Sequence, residues 1–119
     1  LNKIKFILLL ILSNSCSPLI ENGIIVEIEN NSKLSVIGVQ FYTTEKLITL
    51  DFDKIKPEET MSGFLSMKNN KSDGGYVLDF IGANGEKEHT VVGYYTNGGS
   101  LDRKVKFTIE TKKTLVKFD

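Results

Sequence analysis

The chain has 119 residues, 15 basic and 15 acidic side chains, one histidine, one cysteine and no tryptophan. This length suits a single domain and leaves no room for a second core. Balanced charge excludes the basic field that nucleic acid or anionic lipid would need, and a lone thiol excludes an internal disulfide.

The first element is a signal. Lys3 and Lys5 precede the unbroken apolar run Phe6–Leu12, and Ser13, Asn14 and Ser15 follow it, the order of a charged region, an apolar core and a small-residue cleavage zone. The run is too short for a spanning helix, which needs about 20 residues. Cys16 comes next, and Leu12-Ser13-Asn14-Ser15-Cys16 resembles the lipobox of bacterial lipoproteins, with Leu12 one residue earlier than the family's leucine. The resemblance covers this segment alone. It implies that residues 1–15 are removed, that Cys16 carries lipid, and that the protein is held at an envelope membrane. In a Gram-negative cell that would be the periplasmic side of the outer membrane. An ordinary secretory signal cut at the same bond is the alternative. Leu1 at the first position fits a non-ATG start written literally or a missing initiator.

Residues 16–22, with Pro18 to stop a helix, read as a tether, and residues 23–119 as one β domain. Gly23–Glu29 alternates Ile24, Val26 and Ile28 against Ile25, Glu27 and Glu29. Leu34–Tyr42 changes apolar phase at Gly38, the mark of a bulge. Leu47–Phe52 points Ile48, Leu50 and Phe52 inward, and Pro57-Glu58-Glu59 turns the chain into Thr60–Met67. Tyr76–Ile81 and His89–Tyr95 form a hairpin about Asn84-Gly85, two residue types that accept the positive φ of a tight turn. Gly-rich Asn97-Gly98-Gly99 leads to Val105–Ile109, and Thr111-Lys112-Lys113 to Leu115–Phe118. The expected fold is therefore all-β, an antiparallel two-sheet sandwich of about seven or eight strands. Its layout resembles the immunoglobulin-like class, without the cysteine and tryptophan marks of antibody domains, and this analogy carries no function.

Parts for catalysis are few, and the expectation is a protein that is not an enzyme and needs no cofactor or metal. His89 reads either as a general base or as a solvated strand histidine. Asp51 and Asp53, two residues apart on a strand, read as a calcium or acid/base pair or as a solvated face. Of the adjacent tyrosines, Val92 before Tyr94 predicts Tyr94 in the core and Tyr95 in water. Tyr95 with Thr96 and Asn97 is then the expected ligand-binding site, for a glycan or a protein, with a strand-end tyrosine packed on its neighbours as the plain alternative. The functional expectation is a lipid-anchored, noncatalytic binding or assembly module. The alternative is a periplasmic immunity or inhibitor protein that binds a toxin or enzyme. No nucleic-acid partner is expected.

Overall fold

The computed structural model describes residues 21–119, so the expected signal, Cys16 and most of the tether lie outside the described residues. Within them the chain forms β1 (Gly23–Asn30), β2 (Val36–Thr43), β3 (Thr49–Ile55), β4 (Thr60–Ser66), β5 (Gly74–Ile81), β6 (Lys87–Thr96), β7 (Gly99–Ser100), β8 (Lys104–Ile109) and β9 (Thr114–Phe118). There is no helix among them. A four-stranded sheet, ordered β4-β1-β8-β9, packs on a five-stranded sheet, ordered β3-β2-β5-β6-β7.

Period-two alternation builds the core as expected in β1, where Ile24, Val26 and Ile28 are all fully buried. They meet Val36, Val39 and Phe41 of β2, Tyr76, Leu78 and Phe80 of β5, and Val105, Phe107 and Ile109 of β8. Asn30 ends β1 inside this core without leaving a polar atom unpaired. Its amide nitrogen donates to the carbonyls of Leu34 and Ile55, both at 2.9 Å, and its oxygen accepts the N–H and hydroxyl of Ser32. One side chain thus ties the β1–β2 loop to β3 in the opposite sheet. At the start of the domain, Asn22 belongs to the fold and not to a free tether, because its side chain donates to the carbonyls of Met67 and Gly98.

The sheets are not wholly antiparallel, which corrects the sequence expectation. β1 and β8 run parallel, with Val26 beside Val105 and Ile28 beside Phe107. A parallel neighbour needs a long connection, and here the connection includes the whole five-stranded sheet. Strand alternation carries no information about such a partner.

Two turns also exchange character. Asn97 (φ 49°) and Gly98 (φ 74°) both take positive φ between Thr96 and Gly99, so the two-residue primed turn lies there. At Asn84-Gly85 only Gly85 (φ 82°) does. The Gly82 N–H donates to the Glu86 carbonyl and the Gly85 N–H to the Gly82 carbonyl, giving a three-residue loop with glycine at its left-handed position. That extra residue sets the β5–β6 register, in which Asp79 faces His89 and Val77 faces Val91.

Bulges set the remaining phases. Gly38 (φ 60°) shifts the β2 ladder as expected, and Gly93 (φ 72°) shifts β6 so that two residues oppose Gly75. Gly85 and Gly93 share a backbone conformation but not an environment. A Cβ at Gly85 would meet nothing within 4 Å, whereas one at Gly93 would lie 2.4 Å from the Phe118 ring. Gly85→Ala should therefore cost only the left-handed penalty of about 1–2 kcal/mol. Gly93→Ala should add an overpacking cost of about 1–3 kcal/mol. Urea unfolding of the two variants checks this, and equal losses would contradict the assignment.

Candidate functional site

The Gly93 bulge reverses the two tyrosines. Val92 faces inward opposite Tyr76, but Gly93 and Tyr94 together occupy one step of the ladder, so Tyr95 and not Tyr94 returns to the core. Tyr95 is 0% exposed and Tyr94 is 52% exposed. The expected contact residue is therefore a core residue, and its ring has no face open to a ligand.

Its hydroxyl is held as well. Tyr95 donates to Glu45 Oε1 at 2.9 Å and accepts from the Asn70 amide at 3.3 Å. Burial near Glu45 pushes its carboxyl up. Hydrogen bonds from Tyr95, the Lys71 N–H, the Asn70 amide and the Ser72 N–H outweigh that and hold it below the ordinary range. Thr96 is half-buried beside β7. The Asn97 N–H donates to Asp73 Oδ1, and Tyr94 donates to Oδ2 of the same carboxylate. The Gly98 N–H donates to the Ser72 carbonyl. Loops 67–73 and 97–98 thus interlock, and the Tyr95, Thr96, Asn97 segment serves as a seam of the fold. Tyr94, on the outside, is the aromatic left for contact.

A second cluster gathers on the outer face of the five-stranded sheet. One cross-strand row runs Asp51, Gln40, Asp79, His89 over β3, β2, β5 and β6. Asp79 is its centre. Oδ1 accepts a hydrogen bond from His89 Nδ1 at 2.5 Å, and Oδ2 accepts one from the Tyr42 hydroxyl. An ionised carboxylate only accepts, so Nδ1 is the donor in this pair. The imidazole side chain is 64% exposed. Tyr42 is buried beneath, with the Lys46 ammonium 4.9 Å from its ring centroid. Its hydroxyl is pushed up to about 12, first by the hydrogen bond to Asp79, then by burial and the nearby charge.

Apolar side chains flank this polar row: Ile37 is 46% exposed and Val91 53%, with Val77 and Ile81 between them and Lys54 and Lys87 at the two ends of the Ile37 row. The outer face of the other sheet instead carries ion pairs, Glu27 with Lys104 at 2.7 Å and Glu29 with Lys106 at 3.7 Å, beside Ile25 and Phe64.

Sequence reasoning named His89 but missed Asp79 and Tyr42. The signal was the loop length. A two-residue turn at Asn84-Gly85 sets Asp79 against Thr90 and turns His89 inward, since a one-residue slip exchanges the faces. Asp51 and Asp53 do not form a matched pair: Asp53 lies at φ 60° in the irregular part of the β2–β3 ladder, and Asp51 Oδ1 accepts its N–H at 2.9 Å. Among the described residues, no three histidine, cysteine or acidic side chains group to hold a metal ion.

Comparison with known proteins defines a class of fold only. No family model matches the chain, and neither does any curated protein. A protein from Eubacterium rectale, solved by NMR, is similar in structure, with a TM-score of 0.54 and 10% identity over 82% of this chain and 88% of that one. At that identity the likeness extends to the two-sheet fold.

Two measurements check this site. Tyr95→Ala should destabilise the domain by about 3–5 kcal/mol, and Tyr94→Ala by no more than about 0.5 kcal/mol, in thermal or urea melts. The second concerns alkaline pH. The folded state holds the Tyr42 proton more tightly than the unfolded chain, where a tyrosine titrates near about 10. Its contribution is complete below that value and is lost as pH climbs toward about 12. The stability difference between the protein and Tyr42→Phe should shrink over that alkaline interval, and a difference that grows there would contradict the Asp79 contact.

Proposed function

We propose that this chain is a noncatalytic binding module of the bacterial cell envelope, held at a membrane by lipid on Cys16, whose contact surface for a protein partner is the outer face of the five-stranded sheet. The observation that carries this reading is the combination on that face of half-exposed Ile37, Val91 and Tyr94 with the hydrogen-bonded row through Tyr42, Asp79 and His89. Apolar groups around a polar group already fixed in one geometry suit protein recognition, because little side-chain freedom is lost on contact. The catalytic alternative has less support. Asp79 orients His89 as a base is oriented in a triad, but among the described residues no nucleophile bonds to the imidazole. The immunoglobulin-like layout enters only as an architectural analogy, since β1 here lies between β4 and β8.

Two experiments test the reading. Labelled palmitate should enter the protein and be lost in Cys16→Ser, and a secreted, unlabelled product would remove the anchor from the proposal. A photo-cross-linker placed at Ile37 in intact cells should give a discrete protein adduct, while one at Leu115, outside on the other sheet, should not. A toxin or enzyme recovered in that adduct would make the chain an immunity protein. The absence of an adduct at Ile37, or equal adducts at both positions, would refute the face.

A further inference from the structure

The edge of β6 borders the face just described and offers backbone groups where the face offers side chains. β6 bonds to β5 along its length, but on its other side, among the described residues, only Tyr95 and Thr96 are paired, with the two-residue β7. The Gly82 and Glu86 pair is hydrogen-bonded across the hairpin, and bonded pairs alternate along an antiparallel ladder. Glu88, Thr90 and Val92 therefore turn their backbone groups toward β5. Lys87, His89 and Val91 turn theirs outward, where no strand takes them up among the described residues. The free stretch runs from Lys87 to Val92, about 20 Å of extended chain and an ordinary strand length. It ends at the Gly93 bulge, where the Phe118 ring closes the seam between the sheets.

Away from that bulge the seam is open. Glu88 and Thr90, on the inward side of β6, line an open cleft of about 360 Å³ whose floor includes Phe80, Val36 and Ile109. The β8–β9 turn, with Glu110, Lys112 and Lys113, forms the far wall. None of the charged groups of this cleft is in an ion pair among the described residues. A strand laid along β6 would set alternate side chains beside Val91 and His89 on the outer face and the others beside Glu88 and Thr90 in the cleft. Lys87 and Glu88 are charges of the kind that keep an edge from pairing indiscriminately, so an occupant has to complement them. Beside Glu88, that means a basic side chain.

We infer that Lys87–Val92 is a strand-addition site for an extended segment of another polypeptide, which carries a lysine or arginine directed into the cleft beside Glu88 and a β-branched or aromatic residue over Val91. Main-chain bonds to the outward groups of Lys87, His89 and Val91 supply the general affinity, and the cleft supplies the selection. This goes beyond the face reading and can fail separately from it, since Ile37 lies on β2, away from the edge.

The test is a phage-displayed library of random dodecapeptides selected on the full chain in detergent micelles. Enriched peptides are then made with single N-methyl amides stepped along the backbone. Strand addition predicts a basic residue among alternating β-branched ones. N-methylation at every second position should weaken binding about tenfold, with little effect at the positions between. The His89 and Val91 amides should gain protection from exchange in the complex. Glu88→Lys should weaken binding about fivefold with an unchanged urea midpoint, and Ile37→Asp should leave it intact. Failure to enrich any peptide, binding without the alternate N-methyl pattern, or protection of these amides through self-association without peptide would each overturn the site. A cross-link from Ile37 in the absence of peptide binding would leave the face reading standing alone.

Discussion

The Tyr76 ring meets Phe41 and Tyr95 of its own sheet and Phe118 of the opposite one, with centroids 6.0, 5.6 and 6.1 Å away. Its hydroxyl lies 2.9 Å from Ser100 Oγ, at the start of the segment that leads to β8. Three large rings around a fourth leave no room for a side chain at Gly93, next after the Val92 that pairs with Tyr76: the nearest Tyr76 and Phe118 atoms lie 3.1 and 2.4 Å from where its Cβ would be. Glycine at that position admits the rings and also takes the left-handed conformation of the bulge. The bulge in turn delivers Tyr95 into the cluster. The packing of the core and the phase of β6 are thus one constraint, and the exposure of Tyr94 follows from it.

Register works in the same way at the other end of β6. The three-residue loop at Ala83, Asn84 and Gly85 sets His89 across from Asp79, and Asp79 is within reach of Tyr42 because β2 pairs with β5 on its other side. A polar row that crosses four strands is assembled from residues that no local pattern connects. Asp51 and Asp79 are 28 positions apart in the chain, yet both flank Gln40, because each of their strands pairs antiparallel with β2 on one side of it.

The two ends of the sandwich differ in consequence. Where loops 67–73 and 97–98 interlock, Asn70, Glu45 and the Tyr95 hydroxyl satisfy one another and the end is closed. At the end bearing the β5–β6 and β8–β9 turns, the sheets part and β6 has an edge that no strand pairs among the described residues. Hydrogen-bonding and apolar groups are left over at that end and on the outer face of the five-stranded sheet, and on this the proposal of a recognition surface rests.

Much of this fold was legible in the chain itself. Alternation in Gly23–Glu29 placed Ile24, Val26 and Ile28 in the core, and the change of apolar phase located the Gly38 bulge. Turn residues marked the ends of eight strands, since a half-buried strand must repeat every two residues and Gly, Asn and Asp accept conformations that strands do not. The outward Tyr94, the Asp79 and His89 pair, and the parallel union of β1 with β8 could not be read in that way. Each depends on a contact between distant residues: the rings around Gly93 that impose a bulge, the loop length that selects one of two faces, and the neighbour that a long connection brings home. The sequence by itself determined which segments are strands and which of their faces are apolar; only the tertiary structure decided which strands meet and in what register, because side-chain alternation is a local property and pairing is not.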